Sequence, residues 1–253
     1  MKLAFVPSPS QPAHDAVSVL RQKYGIFAPE DADCVVAVGG DGIVLKTLYA
    51  LMPGARPVFA LRKTDSVGFL CNDYRVEDLP ERVAQAHKVL LHPLRAEARL
   101  ENGTTETALA INEVSVLRDS PQSAKLRILV DGVERLAKYS GDGLLVATPA
   151  GSPAYNHSSG GPIMPLDSNT LVMTAICGFR PRRWSYAVLP QDAAVDIEVL
   201  EIAKRPVRME AGPHTFRHVT ALRITLNQTV TCALLFDPDK HLGERIIQEQ
   251  FMT

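Results

Sequence analysis

The sequence predicts an α/β part followed by an all-β part. Three observations carry that expectation: apolar strand-like runs alternate with helical periodicities near the N-terminus, long helical patterns stop at about Val89, and turn signals then separate short β-rich runs. In order, Leu3 to Val6 reads as a strand, Ala13 to Lys23 as a helix and Cys34 to Val38 as a second strand, which is a βαβ order. Gly39-Gly40-Asp41-Gly42 breaks the chain directly after that strand. Ile43, Leu45, Leu48 and Leu51 then recur at near-helical spacing, so a helix should follow the turn. Pro57 to Leu61 reads as a third strand and Glu77 to His87 as another helix, and a parallel sheet with helices on its faces accommodates the set. Beyond Val89, turn signals at Glu101-Asn102-Gly103-Thr104 and Asp131-Gly132 flank strand-length runs. Further runs at 171–174, 195–199 and 221–226 continue the antiparallel pattern. Leu242, Ile246, Ile247 and Phe251 predict a short amphipathic helix in the tail.

Length and charge narrow the function classes. The 253 residues can form one large domain or two modest ones, and 27 Lys+Arg against 28 Asp+Glu leave a formal net charge of -1. That balance argues against a nucleic-acid partner and leaves any anionic ligand to local groups. The opening MKLAFVPSPSQP lacks the apolar core of a signal peptide and no apolar run is long enough to span a bilayer, so a cytoplasmic protein without a membrane partner is expected. Cys34, Cys71, Cys177 and Cys232 show no CxxC spacing and read as buried reduced thiols. The histidines form no HExxH or similar set, so no protein metal site is expected.

Three places carry chemistry. In VAVGGDG, 36–42, glycines at a strand-to-helix turn let the backbone approach a phosphate and aim N–H groups at it, while a plain tight turn is the alternative. Asp41 sharpens the reading, because a carboxylate beside a phosphate cradle repels the ligand unless it binds Mg²⁺ or accepts a proton from an attacking hydroxyl; the alternative is an Asx-turn residue. Lys46-Thr47 resembles the end of a Walker A loop, but Leu45 stands where a glycine is needed, so that reading is rejected. The second place, Ser140 to Pro162, surrounds a short apolar strand with glycines, hydroxyls, Asp142 and Tyr155, a composition that suits a ligand site better than a set of turns. Third, Asn112-Glu113 interrupts an apolar run, either as a site or as an alternating strand with Glu113 facing solvent.

Taken together and in this order, GGDG at 39–42, VGFL at 67–70, NE at 112–113 and GDGLLVATPAGSPAYNHSSGGPI at 141–163 resemble the NAD kinase family. The likeness spans most of the chain, runs on through FRPRRW at 179–184 and LLFDPDKHLGERIIQEQF at the tail, and is nearest the alphaproteobacterial branch. It implies an N-terminal Rossmann-like α/β domain over 1–92 and a C-terminal antiparallel β-sandwich-like domain over 93–236, with 237–253 returning to the first. It also implies transfer of the γ-phosphoryl group of ATP, with Mg²⁺, to the adenosine-ribose 2′-hydroxyl of NAD, giving NADP. A homodimer or homotetramer is implied, with an NAD site between the domains that can include residues of a neighbouring subunit. By position, Asp41 matches the catalytic aspartate, Gly39, Gly40 and Gly42 the phosphate loop, and Phe69 a side chain beside NAD. Asn112, Glu113, Asp142, Ala154, Tyr155 and Ser158, along with Asp41 and Gly42, match NAD-binding positions.

The chain departs from the family pattern where Lys63-Thr64-Asp65-Ser66 precedes GFL, where Pro153 replaces a threonine, and at His157 and Ser159-Gly160. Asp65 adds a charge where NAD should pass, and Lys63 offsets it or contacts phosphate. These changes motivate the runner-up, a catalytically weak NAD(P)-binding sensor; a kinase of the same superfamily with another substrate is the third reading. Arg180, Arg182 and Arg183 beside Trp184 suit a subunit interface better than a phosphate site.

Overall fold

The computed structural model describes residues 1–54, 56–63, 68–240 and 242–251. Along the chain come β1 (Leu3–Pro7), α1 (Gln11–Tyr24), β2 (Cys34–Gly39), α2 (Asp41–Leu51), β3 (Val58–Arg62), β4 (Asn72–Asp73), α3 (Leu79–Gln85) and β5 (His87–Leu91). Twelve strands follow: β6 (Leu94–Leu100), β7 (Thr105–Ala110), β8 (Glu113–Arg118), β9 (Ala124–Val130), β10 (Val133–Gly141), β11 (Gly143–Ala147), β12 (Thr170–Ile176), β13 (Tyr186–Pro190), β14 (Val195–Val199), β15 (Val207–Ala211), β16 (His214–Arg217) and β17 (Val219–Leu226). β18 (Cys232–Phe236) and α4 (Leu242–Glu249) close the chain. Two compact units result, one formed by 1–91 with 229–245 and the other by 92–228 with the residues from Ile246 onward.

In the first unit β1, β2 and β3 are parallel neighbours. β18 takes the free edge of β3 at Val58 and Phe59 in parallel, while β4 takes Leu61 and Arg62. All six residues of β2 are buried, as a strand covered on both faces requires. One face packs on α1 through Ala13, Ala16, Val17 and Leu20, spaced three and four apart, together with Leu79 and Val83 of α3. Gly25 ends α1, its N–H donating to the Arg21 carbonyl.

Two differences from expectation stand out here. The helix expected over 77–87 stops at Gln85, because His87 opens a strand paired antiparallel to Phe236. β18, expected in the second domain, is the buried inner strand of the first sheet, and the compact-unit boundaries at 91/92, 228/229 and 245/246 differ from 92/93 and 236/237 accordingly.

The second unit has two six-stranded antiparallel sheets, ordered β10-β9-β14-β17-β6-β7 and β13-β12-β11-β8-β15-β16. Alternate residues of both, such as Leu126, Ile128, Val195 and Ile197 from one and Val114, Val116, Leu144, Val146 and Met173 from the other, form a single buried core. That is a β-sandwich. Asp131 and Gly132, both at positive φ, make the two-residue β9–β10 turn. The central strands of the second sheet are also covered on their outer face, where Leu145, Ala147 and Ile176 cluster. Cys34, Cys71 and Cys232 are buried free thiols, but Cys177 is exposed, in a loop beyond β12.

Candidate active site

The first group of candidate residues lies where β2 meets α2. Gly39 ends the strand at a point where a Cβ would lie 2.7 Å from that of Ser8, so no larger residue fits without displacing the turn. Gly40 stands at the N-terminus of α2 and offers no side-chain cap, which leaves the first-turn amides to an external acceptor. A Cβ on Gly42 would enter open space.

Asp41 does not form a local Asx turn. Its carboxylate accepts hydrogen bonds from the backbone N–H groups of Phe69 (2.9 Å) and Leu70 (2.7 Å), so the GGDG turn and the GFL segment are one structure. That segment is a tight turn closed by Cys71 N–H to Gly68 O at 3.0 Å. The Cys71 thiol, 4.0 Å from Asp41 Oδ1, is pushed up to about 12 by burial and by the adjacent carboxylate, so it stays protonated. From α4, Nη1 of Arg245 donates to the carbonyls of Phe69 (2.8 Å) and Cys71 (2.7 Å). Beneath the turn, Asn72 donates to Ala60 O and Leu235 O and accepts from Asp237 N–H. Asp237 in turn pairs with Arg82, its carboxylate oxygen 2.6 Å from Arg82 Nη2. The two charged side chains are 2% and 9% exposed, and Arg82 also donates to Asp73 O and Arg75 O, so the buried pair is held by further hydrogen bonds.

The second group lies on the outer face of the β13-to-β16 sheet, under the 148–162 segment. Three buried polar side chains fasten that segment. Thr148 Oγ1 donates to Ile111 O (2.8 Å) and accepts from Gly151 N–H; Ser152 Oγ donates to Pro149 O (2.7 Å) and accepts from Met164 N–H. Asn156 donates to Ser152 O and Pro162 O and accepts from Thr174 Oγ1 of β12 at 2.6 Å. A Cβ on Gly151 would sit 2.3 Å from the Asn112 carbonyl, so a glycine is needed for 151 to meet 112. At Ala154 the backbone leaves helical geometry (φ −86°, ψ −128°), and Tyr155 beside it is 37% exposed. Burial and the nearby Glu210 carboxylate raise the Tyr155 phenol above its ordinary value.

Glu113 opens β8 opposite Ala147 and shares the outer face with Ser115 and Leu117. Its Oε2 is screened from solvent and has no partner among the described residues, and burial pushes the carboxyl up to about 7. The solvent-facing alternative for Glu113 is thereby excluded.

The structure thus brings Gly39, Gly40, Asp41, Gly42 and Phe69 together in one unit, and Asn112, Glu113, Ala154, Tyr155 and Ser158 in the other. Asp142 is apart from the latter. It stands at the opposite end of β11 from Ala147, roughly 16 Å away at the usual rise per residue, with its carboxylate paired to Arg118 at 2.7 Å. Lys63 places its ammonium 4.4 Å from the Tyr74 ring centroid, while Thr64, Asp65, Ser66 and Val67 lie outside the described residues. Sequence reasoning missed Arg245, Asn156 and Arg118. Asn156 was legible as the one amide in a glycine-rich run, whereas a lone arginine on an amphipathic tail carries no signal.

Comparison with known proteins identifies the family. Residues 111–237 match the ATP-NAD kinase C-terminal domain. The chain is 46% identical to an NAD kinase of Rhizobium meliloti over 98% of its own length and 96% of that protein, and 43% identical to one of Hyphomonas neptunium over 99% and 98%. Its fold matches a yeast NADH kinase solved with NADH (TM-score 0.82, 18% identity, 98% of this chain and 86% of that one). It also matches an Archaeoglobus fulgidus NAD kinase solved with ATP (TM-score 0.80, 21% identity, 99% of each). With a domain match over half its length and full-length relatives at this identity, the chain belongs to the NAD kinase family.

Proposed function

We propose that this enzyme phosphorylates NAD to NADP with Asp41 acting on the adenosine-ribose 2′-hydroxyl and ATP as donor. The observation that carries the role is the Asp41 carboxylate, aimed by two backbone N–H groups at the uncapped N-terminus of α2. Oδ1 accepts from both Leu70 N–H and the Cys71 thiol, whereas Oδ2 spends one of its two lone pairs on Phe69 N–H and keeps the second to receive a proton. The hydroxyl proton passes to Asp41, the 2′-oxygen bonds to the γ-phosphorus, and the bond from γ-phosphorus to the bridging oxygen breaks, its electrons leaving with ADP. Amides of the GGDG turn hold phosphate oxygens. Mg²⁺ bound with ATP would supply neutralisation of the phosphate charge. One or two carboxylates plus substrate phosphates are its usual ligands, and Asp41 fits that donor set. In the second unit Asn112, Glu113, Ala154, Tyr155 and Ser158 bind NAD, with Glu113 Oε2 accepting from a ligand hydroxyl or amino group. We place the enzyme in the cytoplasm.

The deciding experiment is Asp41→Asn assayed with NAD, ATP and Mg²⁺. Turnover should fall roughly 10²- to 10⁴-fold, the usual contribution of a positioned base, while NAD still binds by calorimetry. Near-normal turnover in the variant would remove Asp41 from the mechanism.

A further inference from the structure

The carboxylate of Asp41 can be aimed only as well as the turn that aims it. Leu70 N–H and Phe69 C=O belong to one planar peptide: its N–H faces Asp41 Oδ1 at 2.7 Å and its oxygen faces Arg245 Nη1 at 2.8 Å. The same nitrogen uses its second hydrogen on Cys71 O at 2.7 Å, at the far end of the turn. A rigid peptide is therefore gripped on both sides, by the reacting carboxylate and by a guanidinium from a helix 176 residues away in sequence. Without that grip the closing bond from Cys71 N–H to Gly68 O is the turn's one internal tie among the described residues.

We propose that Arg245 is a positioning residue for the phosphoryl transfer, fixing the Gly68–Cys71 turn so that Asp41 is held in line. The proposal rests on the reading of Asp41 as the group acting on the hydroxyl. Loss of Arg245 lets the 69–70 peptide rotate, and with it the carboxylate, so it reduces kcat more than substrate affinity.

The test is steady-state NADP formation by the full chain for Arg245→Ala, Arg245→Lys, Leu242→Ala and Asp41→Asn, each with a melting curve. Leu242 is buried in the same helix but has no hydrogen bond to the turn. Arg245→Ala should lower kcat roughly 10- to 100-fold, the scale of a small misplacement of a reacting group, with both KM values within about twofold. Arg245→Lys should fall between, because its single ammonium can donate to both carbonyls but sits on a shorter, freer stem that holds them less rigidly. Leu242→Ala should lower Tm and spare kcat. A wild-type kcat in Arg245→Ala overturns the proposal, and so does an equal loss in Leu242→Ala, since helix packing would then explain both. Should Arg245→Ala not fold, Arg245→Met, which keeps an apolar stem and has no donor, decides: a kcat about threefold or more below wild type at unchanged KM supports the clamp, and a wild-type kcat overturns it. An inactive Asp41→Asn beside a normal Arg245→Ala defeats the clamp alone, whereas an active Asp41→Asn defeats the reading beneath it.

Discussion

Asp41 and Glu113 are two carboxylates treated in opposite ways. Asp41 already accepts two backbone hydrogen bonds, so Asp41→Asn turns an amide NH₂ toward the N–H of Phe69 or Leu70, donor against donor. Melting should therefore show a loss on the order of 1–3 kcal/mol for the unmade bond, to be separated from the much larger catalytic loss. Glu113 has a screened oxygen with nothing to accept from. Its folded pKa, about 7, lies above the ordinary 4.5, so between those values the folded protein keeps a proton that the unfolded chain has released. Stability due to this group is present below about pH 4.5 and is lost as pH rises through 7. Glu113→Gln should hence raise stability by roughly 1–3 kcal/mol at pH 8, have little effect at pH 5, and weaken NAD binding. Paired melting curves at the two pH values check this; an equal shift at both would sink the explanation.

Among the elements, the 148–162 segment shows how a run with little regular structure becomes rigid. Its backbone is held by three buried side chains, and Asn156 makes three of their bonds, one of them to β12. Asn156→Ala leaves Thr174 Oγ1 and two buried carbonyls short of partners, a cost of roughly 2–4 kcal/mol. A lowered Tm together with a tenfold or so weaker Kd for NAD is expected by calorimetry; unchanged affinity would mean that Tyr155 and Ser158 are positioned by something else. The segment stood out in composition, as glycines and small polar residues around an apolar strand. Its fastening was not, because Thr148, Ser152 and Asn156 act through partners as distant as Ile111 and Thr174. The misjudged end of α3 has a similar cause: residues 77–87 keep a helical pattern, but His87 is claimed by β18, some 150 residues later.

On the scale of the whole molecule, Asp142 and the segment beyond β12 lie at one end of the second sandwich sheet, where Ser140 bridges Arg180. Phe179 is 63% exposed in that segment, and on the edge strand β13 Tyr186 and Val188, level with Leu145 and Ala147 of β11, are exposed as well. We propose that copies of this chain associate through the exposed apolar side chains of the β13 edge. Light scattering should give a dimer or tetramer for the wild type and a monomer for Tyr186→Lys combined with Val188→Lys; a monomeric wild type would end the idea.

What the sequence determined by itself is what local pattern can carry: the βαβ opening, the change to antiparallel strands, the glycine turn with Asp41 between β2 and α2, and the run of small and polar residues around β11. Hydrophobic periodicity and turn chemistry act over a few residues, so they can be read along the chain. Only the tertiary structure decided that β18 completes the first sheet, that Arg82 and Asp237 neutralise each other beneath the turn, that Glu113 is screened from water, and that Arg245 holds the turn that holds Asp41. Apart from the screening of Glu113, each of these is a pairing across a large sequence separation. Its energy comes from burial and geometry that no local pattern records, because a buried charge or carbonyl is satisfied by whichever partner the fold brings to it.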